Sequence, residues 1–265
     1  MHGPWQRPHF RPHRRPPSTK PFVSSGPCRL VTAADGGPVR NVITYASACS
    51  TFATFSGKAA RQQYCEGATE MAALRDAEMR TEYLDLQFQP LRIEWLQPDG
   101  KWRRYTFDCA LEVEDGTLVF EEFKATSAQF SKPAIREKLD AAKRVMANYG
   151  VQVRQRDAAC LQNSSGHEAI MALWAWRRTS IEGHHADHVR EVIEAAGGEI
   201  PLGRLLERID DNVHLAFGIA AALTMRRTMR IEFDQGPLPD AAVTIPPVAV
   251  RGRLRRFLAR FAEDL

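Results

Sequence analysis

The stretch that decides the fold runs Tyr105-Thr106-Phe107-Asp108-Cys109-Ala110-Leu111, then Asp115-Gly116, then Leu118-Val119-Phe120-Glu121-Glu122-Phe123-Lys124. It is two apolar runs around one turn. Asp-Gly flanked by apolar and β-branched residues is a strong hairpin signal, so Arg104 to Val113 and Thr117 to Ala125 are expected to pair as antiparallel strands. Side chains alternate along a strand, which puts Glu122 and Lys124 on one face and Phe123 on the other. Asp108, on the first strand, can then sit beside Glu122.

Carboxylates gathered on a largely apolar sheet cost several kcal/mol in desolvation unless they are paired, and one lysine cannot neutralise them all. A hard cation can. Mg²⁺ takes oxygen ligands and is commonly held by one or two carboxylates together with phosphate oxygens. Phosphodiester hydrolysis is the reaction that suits such a set. Asp followed by Glu-x-Lys also occurs on the solvated face of an edge strand, so these three positions alone leave both readings open.

The match extends beyond three positions. Glu70 lies twenty residues before Pro90 in Gln89-Pro90, followed by Tyr105-Thr106-Phe107-Asp108-Cys109 and by Glu122-Phe123-Lys124. In this order and spacing, over about residues 38 to 160, the chain resembles the TnsA-like transposon endonucleases. Phe107 and Cys109 stand where that family usually has Pro and Phe; neither is a ligand position. The resemblance implies a restriction-endonuclease-like core of the PD-(D/E)xK type. It further implies that Glu70, Asp108 and Glu122 bind metal and that Lys124 orients the attacking water or offsets charge. Glu66 is the nearest competitor of Glu70, one turn away on an expected helix of residues 66 to 83. Gln89 is a candidate for supporting the ligands, or a plain polar residue at a strand start.

The implied activity is a Mg²⁺-dependent DNA endonuclease, with Mn²⁺ able to substitute. It would be one subunit of a heteromeric transposase that nicks the non-transferred strand at the 5′ ends of the element. Its implied partners are DNA at transposon ends, a DDE-type transposase subunit and an ATPase regulator. The alternatives are another PD-(D/E)xK nuclease, of restriction or junction-resolving type, and a catalytically inactive winged-helix scaffold on DNA.

Around the core, the expected organisation is α/β: a restriction-endonuclease-like mixed sheet flanked by helices, plus a C-terminal winged-helix-like domain. Residues 1–27 are rich in Pro, His and Arg and read as a basic, disordered or extended arm. The nuclease core is expected over 28–162. It comprises a strand near Val39 to Ile43, the helix of residues 66 to 83, a strand from Gln87 to Leu96, a turn at Pro98-Asp99-Gly100 and the hairpin. A helix from Ala134 to Tyr149 stopped by Gly150, and a strand from Val151 to Arg156, complete it.

Residues 163–247 change to helices near Ile170 to Arg177, His188 to Ala196, Leu202 to Arg208 and His214 to Met225. A hairpin between Thr228 to Phe233 and Ala242 to Ile245 follows. That order suits a winged helix, and the TnsA-like family has such a C-terminal domain. Arg226, Arg227 and Arg230 are candidate phosphate contacts or residues of a solvated face. Residues 248–265 form a basic tail helix with Arg251, Arg253, Arg255, Arg256 and Arg260.

The 265 residues carry a formal net charge of +4, and 44% of them are hydrophobic. That is ample for one sizeable core or two modest ones. Six Arg or Lys residues and no acid precede Asp35, and basic ends suit either phosphate contact or solubility. The absence of an apolar run of about twenty residues excludes a membrane helix and points to a cytoplasmic protein. Five scattered cysteines without a Cys-x-x-Cys pair fit reduced thiols. His184-His185-x-x-His188 lacks the glutamate of a His-Glu-x-x-His zinc motif and reads as a run of solvated helix-start histidines. No Gly-x-x-x-x-Gly-Lys-Ser/Thr loop is present, and Ser56-Gly57-Lys58 is too short to stand for one.

Overall fold

The Asp115-Gly116 turn forms as its residues dictate. Gly116 takes a φ of 83°, its N–H donates to the Val113 carbonyl, and the Thr117 N–H donates to Asp115 Oδ1. The turn joins Cys109–Val113 to Leu118–Lys124 as an antiparallel pair. This computed structural model describes residues 28–40, 42, 50–96, 100–162, 166–233 and 238–262. The arm of residues 1–27, Asn41 and Ile43 of the expected strand, Pro98-Asp99 and the Gln235-Gly236-Pro237 connection lie outside them, while Val39, Arg40 and Val42 are in no strand.

In chain order the first elements are β1 (Cys28–Val31), β2 (Thr51–Ser56), β3 (Arg61–Glu66), α1 (Ala68–Met79) and β4 (Tyr83–Phe88). Then come β5 (Arg92–Leu96), β6 (Trp102–Thr106), β7 (Cys109–Val113), β8 (Leu118–Lys124), α2 (Pro133–Ala147), β9 (Gln152–Asp157) and α3 (Ala158–Gln162). The C-terminal part has α4 (His167–Trp176), α5 (Gly183–Ala195), β10 (Glu199–Pro201), α6 (Leu202–Ile209) and α7 (Val213–Met225). It ends with β11 (Arg230–Ile231), β12 (Ala242–Thr244) and α8 (Arg253–Ala259). The chain is thus a mixed α/β structure with several sheets.

The central sheet has the order β4-β7-β8-β9, antiparallel except for the parallel β8–β9 pair. A second sheet, β1-β5-β6, is antiparallel. The two expected long strands are each broken between these sheets. Residues 87–96 split at Gln89-Pro90-Leu91, and residues 104–113 split at Phe107-Asp108. The breaks face one another: the Gln89 N–H donates to the Asp108 carbonyl at 2.9 Å and the Phe107 N–H to the Leu91 carbonyl at 3.3 Å. β4-β5 and β6-β7 are therefore one antiparallel ribbon, bent once. Pro90 cannot continue a ladder, and Gln89 takes a left-handed φ of 50° at the bend.

Phe107 explains why the bend is stable. It is fully buried and packs edge-on against Tyr105 and Phe120, with ring centroids 4.9 and 5.1 Å away. These rings belong to a core between the two sheets, α2 and α8, which also takes Ile93, Leu139 and Phe257. The other face of the central sheet packs through Leu86, Phe88, Val119 and Phe123 on α1, and this core continues into α4, α5, α6 and α7.

The expected helix of residues 66 to 83 is shorter. Gly67, with a φ of 90°, separates β3 from α1, so Glu66 ends a strand and does not share a helical face with Glu70. At the other end Arg80 turns extended and Tyr83 opens β4. No helix among the described residues is long and apolar enough to cross a membrane.

Candidate metal centre

Asp108 occupies the bend of the ribbon. Because β7 begins only at Cys109, paired with Glu121, the last residues of β8 run beyond their antiparallel neighbour and are held by β9 alone, Glu122 opposite Gln155 and Lys124 opposite Asp157. Asp108 Oδ2 accepts the Phe123 N–H at 2.8 Å. That bond fixes its carboxylate beside the free end of β8.

Glu122 and Lys124 project to the same side, as strand alternation requires. The Tyr105 hydroxyl donates to Glu122 Oε2 at 2.6 Å, and the Lys124 ammonium is ion-paired to Oε1. Lys124 Nζ also donates to the Phe123 carbonyl at 2.9 Å. Glu70 enters from the first turn of α1, its Oε2 accepting the Glu66 N–H at 2.8 Å. Gln89 Nε2 lies 3.5 Å from the same oxygen. Gln89 is fully buried, and its Oε1 has no hydrogen-bond partner among the described residues.

All four residues expected at the site therefore line one cavity of about 510 Å³. Glu70, Asp108 and Glu122 are each less than a tenth exposed. Glu66 also lines it, but pairs with Arg40 at 2.8 Å. Arg40, Arg104 and Lys138 complete the wall. Of these basic residues, the sequence reading singled out none; only their approach to the acids in space distinguishes them from a solvated surface. A smaller cavity, about 150 Å³, lies under α8, where the carboxylate of Asp85 is already paired to Arg255.

The electrostatics follow from crowding. Burial, then the neighbouring Glu122 and Glu70, drive the Asp108 carboxyl well above the ordinary range, against the opposing pull of Lys124 and the Phe123 amide. Burial also raises Glu70 to about 7, with the Glu66 amide and Arg40 opposing and Glu66 and Glu122 adding. One ammonium serves three buried carboxylates. Among the described residues no group of three or more His, Cys, Asp or Glu is already drawn together as a ligand set. Asp108 accepts the Phe123 amide, Glu70 the Glu66 amide, and Glu122 both the Tyr105 hydroxyl and the Lys124 ammonium. The donor set nonetheless suits a hard cation, since all three donors are carboxylates whose mutual repulsion a divalent charge would relieve.

The other candidates have different places. Arg227 donates to the Thr81 carbonyl at 2.7 Å and pairs with Glu114, and Arg230 pairs with the same carboxylate and donates to Thr81 Oγ1. Both join the C-terminal helices to the central sheet, away from the cavity. Arg226 is exposed. His185 Nδ1 accepts the Glu182 N–H and caps α5, His184 faces Glu182, and His188 bonds the Arg208 carbonyl, so each histidine has a local structural partner.

No protein-family model matches the chain, and no curated protein matches it either.

Proposed function

We propose that the chain is a Mg²⁺-dependent DNA endonuclease of TnsA-like type, the subunit of a heteromeric transposase that hydrolyses a phosphodiester on the non-transferred strand. The convergence of Glu70, Asp108, Glu122 and Lys124 on one cavity, at a bend between two sheets, carries this reading. The mixed central sheet with helices on both faces supports a restriction-endonuclease-like core. Three helices, α5 to α7, together with the small sheet β10-β12-β11, support a winged-helix-like C-terminal part.

Glu70, Asp108 and Glu122 would hold the cation, which when bound supplies Lewis acidity toward the scissile phosphate and lowers the pKa of water. The chain's own groups do the rest. Asp108 is pinned by the Phe123 amide and Glu122 by Tyr105, so two of the three carboxylates are oriented before any ligand arrives. Lys124, about a fifth exposed, has its ammonium at the cavity wall, where it can orient water and offset charge developing on the phosphate. The partners in this reading are transposon-end DNA, a DDE-type transposase and an ATPase regulator.

The test is strand-specific nicking of a DNA bearing the element ends, with Mg²⁺ and the transposase partner supplied. Nicking at the 5′ ends that Lys124→Ala abolishes supports the proposal. Undiminished nicking by Lys124→Ala and Asp108→Asn chains excludes the assigned site.

A further inference from the structure

The outer face of the β1-β5-β6 sheet gathers three arginines around one glutamate. Register places Arg29, Glu94 and Arg104 side by side across the three strands, with Arg92 two residues from Glu94 on the same face. Glu94, almost wholly buried, receives all three guanidiniums: Arg29 at 2.6 Å, Arg92 at 2.8 Å and Arg104 at 3.2 Å. The Arg29 guanidinium also stacks over Trp102, 4.4 Å from the ring centroid. One carboxylate thus holds three guanidiniums in place. Arg104 is two-thirds exposed, and Trp102 is 40% exposed beside it.

The position of this face matters as much as its charge. Arg104 and Thr106, on its edge strand, also line the cavity that holds Glu70, Asp108 and Glu122. Lys138 from α2 and Arg40, which pairs with Glu66, line the same cavity. An acidic floor repels a phosphodiester, so substrate reaches it only where flanking cations outweigh that repulsion. Pre-aligned guanidiniums offer planar forks to phosphate oxygens with little further loss of rotamer freedom.

We propose that the outer face of β1-β5-β6, through Arg92 and Arg104 held by Glu94, binds the phosphate backbone of duplex DNA and leads it to the cavity. This rests on the nuclease reading. Contacts of this kind are independent of sequence and release counterions on binding.

The test is fluorescence anisotropy of a DNA duplex with the full chain over a range of salt concentrations, with Ca²⁺ present. For Arg92→Gln/Arg104→Gln, the slope of log affinity against log salt should fall by about 2, and by about 1 for Arg104→Gln alone. At about 0.1 M salt the single substitution should weaken binding roughly eightfold. Arg104, being exposed, can be exchanged without disturbing the core, and a thermal melt of each variant beside the parent chain controls for folding. Binding by the parent chain with the same slope in the double variant overturns the proposed face and leaves the nuclease reading standing. No binding by the parent chain overturns both.

Discussion

The Tyr105 hydroxyl donates to Glu122 Oε2 at 2.6 Å, across the bend that carries Asp108. Tyr105, next to last in β6, is buried against the inner core, and burial together with the Glu122 charge pushes its own ionisation far above the ordinary range, so it remains a donor. Groups that orient metal-binding carboxylates typically change affinity by about 10–100-fold when removed. Tyr105→Phe should therefore weaken Mn²⁺ binding by about tenfold while the chain stays folded. A calorimetric titration beside a thermal melt checks this; unchanged affinity would mean that Tyr105 only fills space.

Glu114 is the shared partner of Arg227 and Arg230, whose side chains are 9% and 19% exposed. Removing one carboxylate leaves two mostly buried cations without their counter-charge. Glu114→Ala should cost about 3 kcal/mol of stability, whereas Arg226→Gln, at an exposed position, should cost less than about 0.5 kcal/mol. Urea unfolding of the two variants measures both. Equal stabilities would show that the link between the C-terminal helices and the sheet does not depend on this cluster.

Lys58 is buried, and its ammonium donates to the Ala77 and Arg80 carbonyls at the end of α1. Burial lowers its pKa from 10.5 to about 8, against the opposing pull of Glu78 and Glu82. Below about 8 the lysine is charged in both folded and unfolded states and its burial cost is felt in full. As pH rises from about 8 toward 10.5 the folded state releases the proton first, so the unfolded state binds more protons and stability increases. Relative to Lys58→Met, the parent chain should gain up to about 3 kcal/mol across that window. Paired melts at several pH values follow the difference; a constant difference would contradict a depressed pKa.

How much of this was legible in sequence depends on the range of the interaction. The β7-β8 hairpin was legible because Asp115-Gly116 specifies its turn locally. The breaks at Gln89 and Phe107 were not, because an apolar alternation looks the same whether a strand stays in one sheet or passes into a second. Pro90 was the available signal for one of them. Gly67 likewise marked the true start of α1 and removed Glu66 from the helical face of Glu70. The expectation that Asp108 neighbours Glu122 needed only pairing rules, and the Asp108 to Phe123 bond realises it. Arg227 and Arg230 show the limit: their partner Glu114 lies more than a hundred residues away in sequence, so nothing local distinguished an internal ion pair from a phosphate contact.

The measurement that bears most directly on the central claim is Mn²⁺ binding by titration calorimetry to the parent chain and to Asp108→Asn, with Ca²⁺ as comparison. Asparagine keeps an acceptor for the Phe123 amide and removes only the charge. The account predicts binding by the parent chain and at least a tenfold loss in Asp108→Asn. Equal affinity in the two chains, or no binding by either with DNA present, would contradict it.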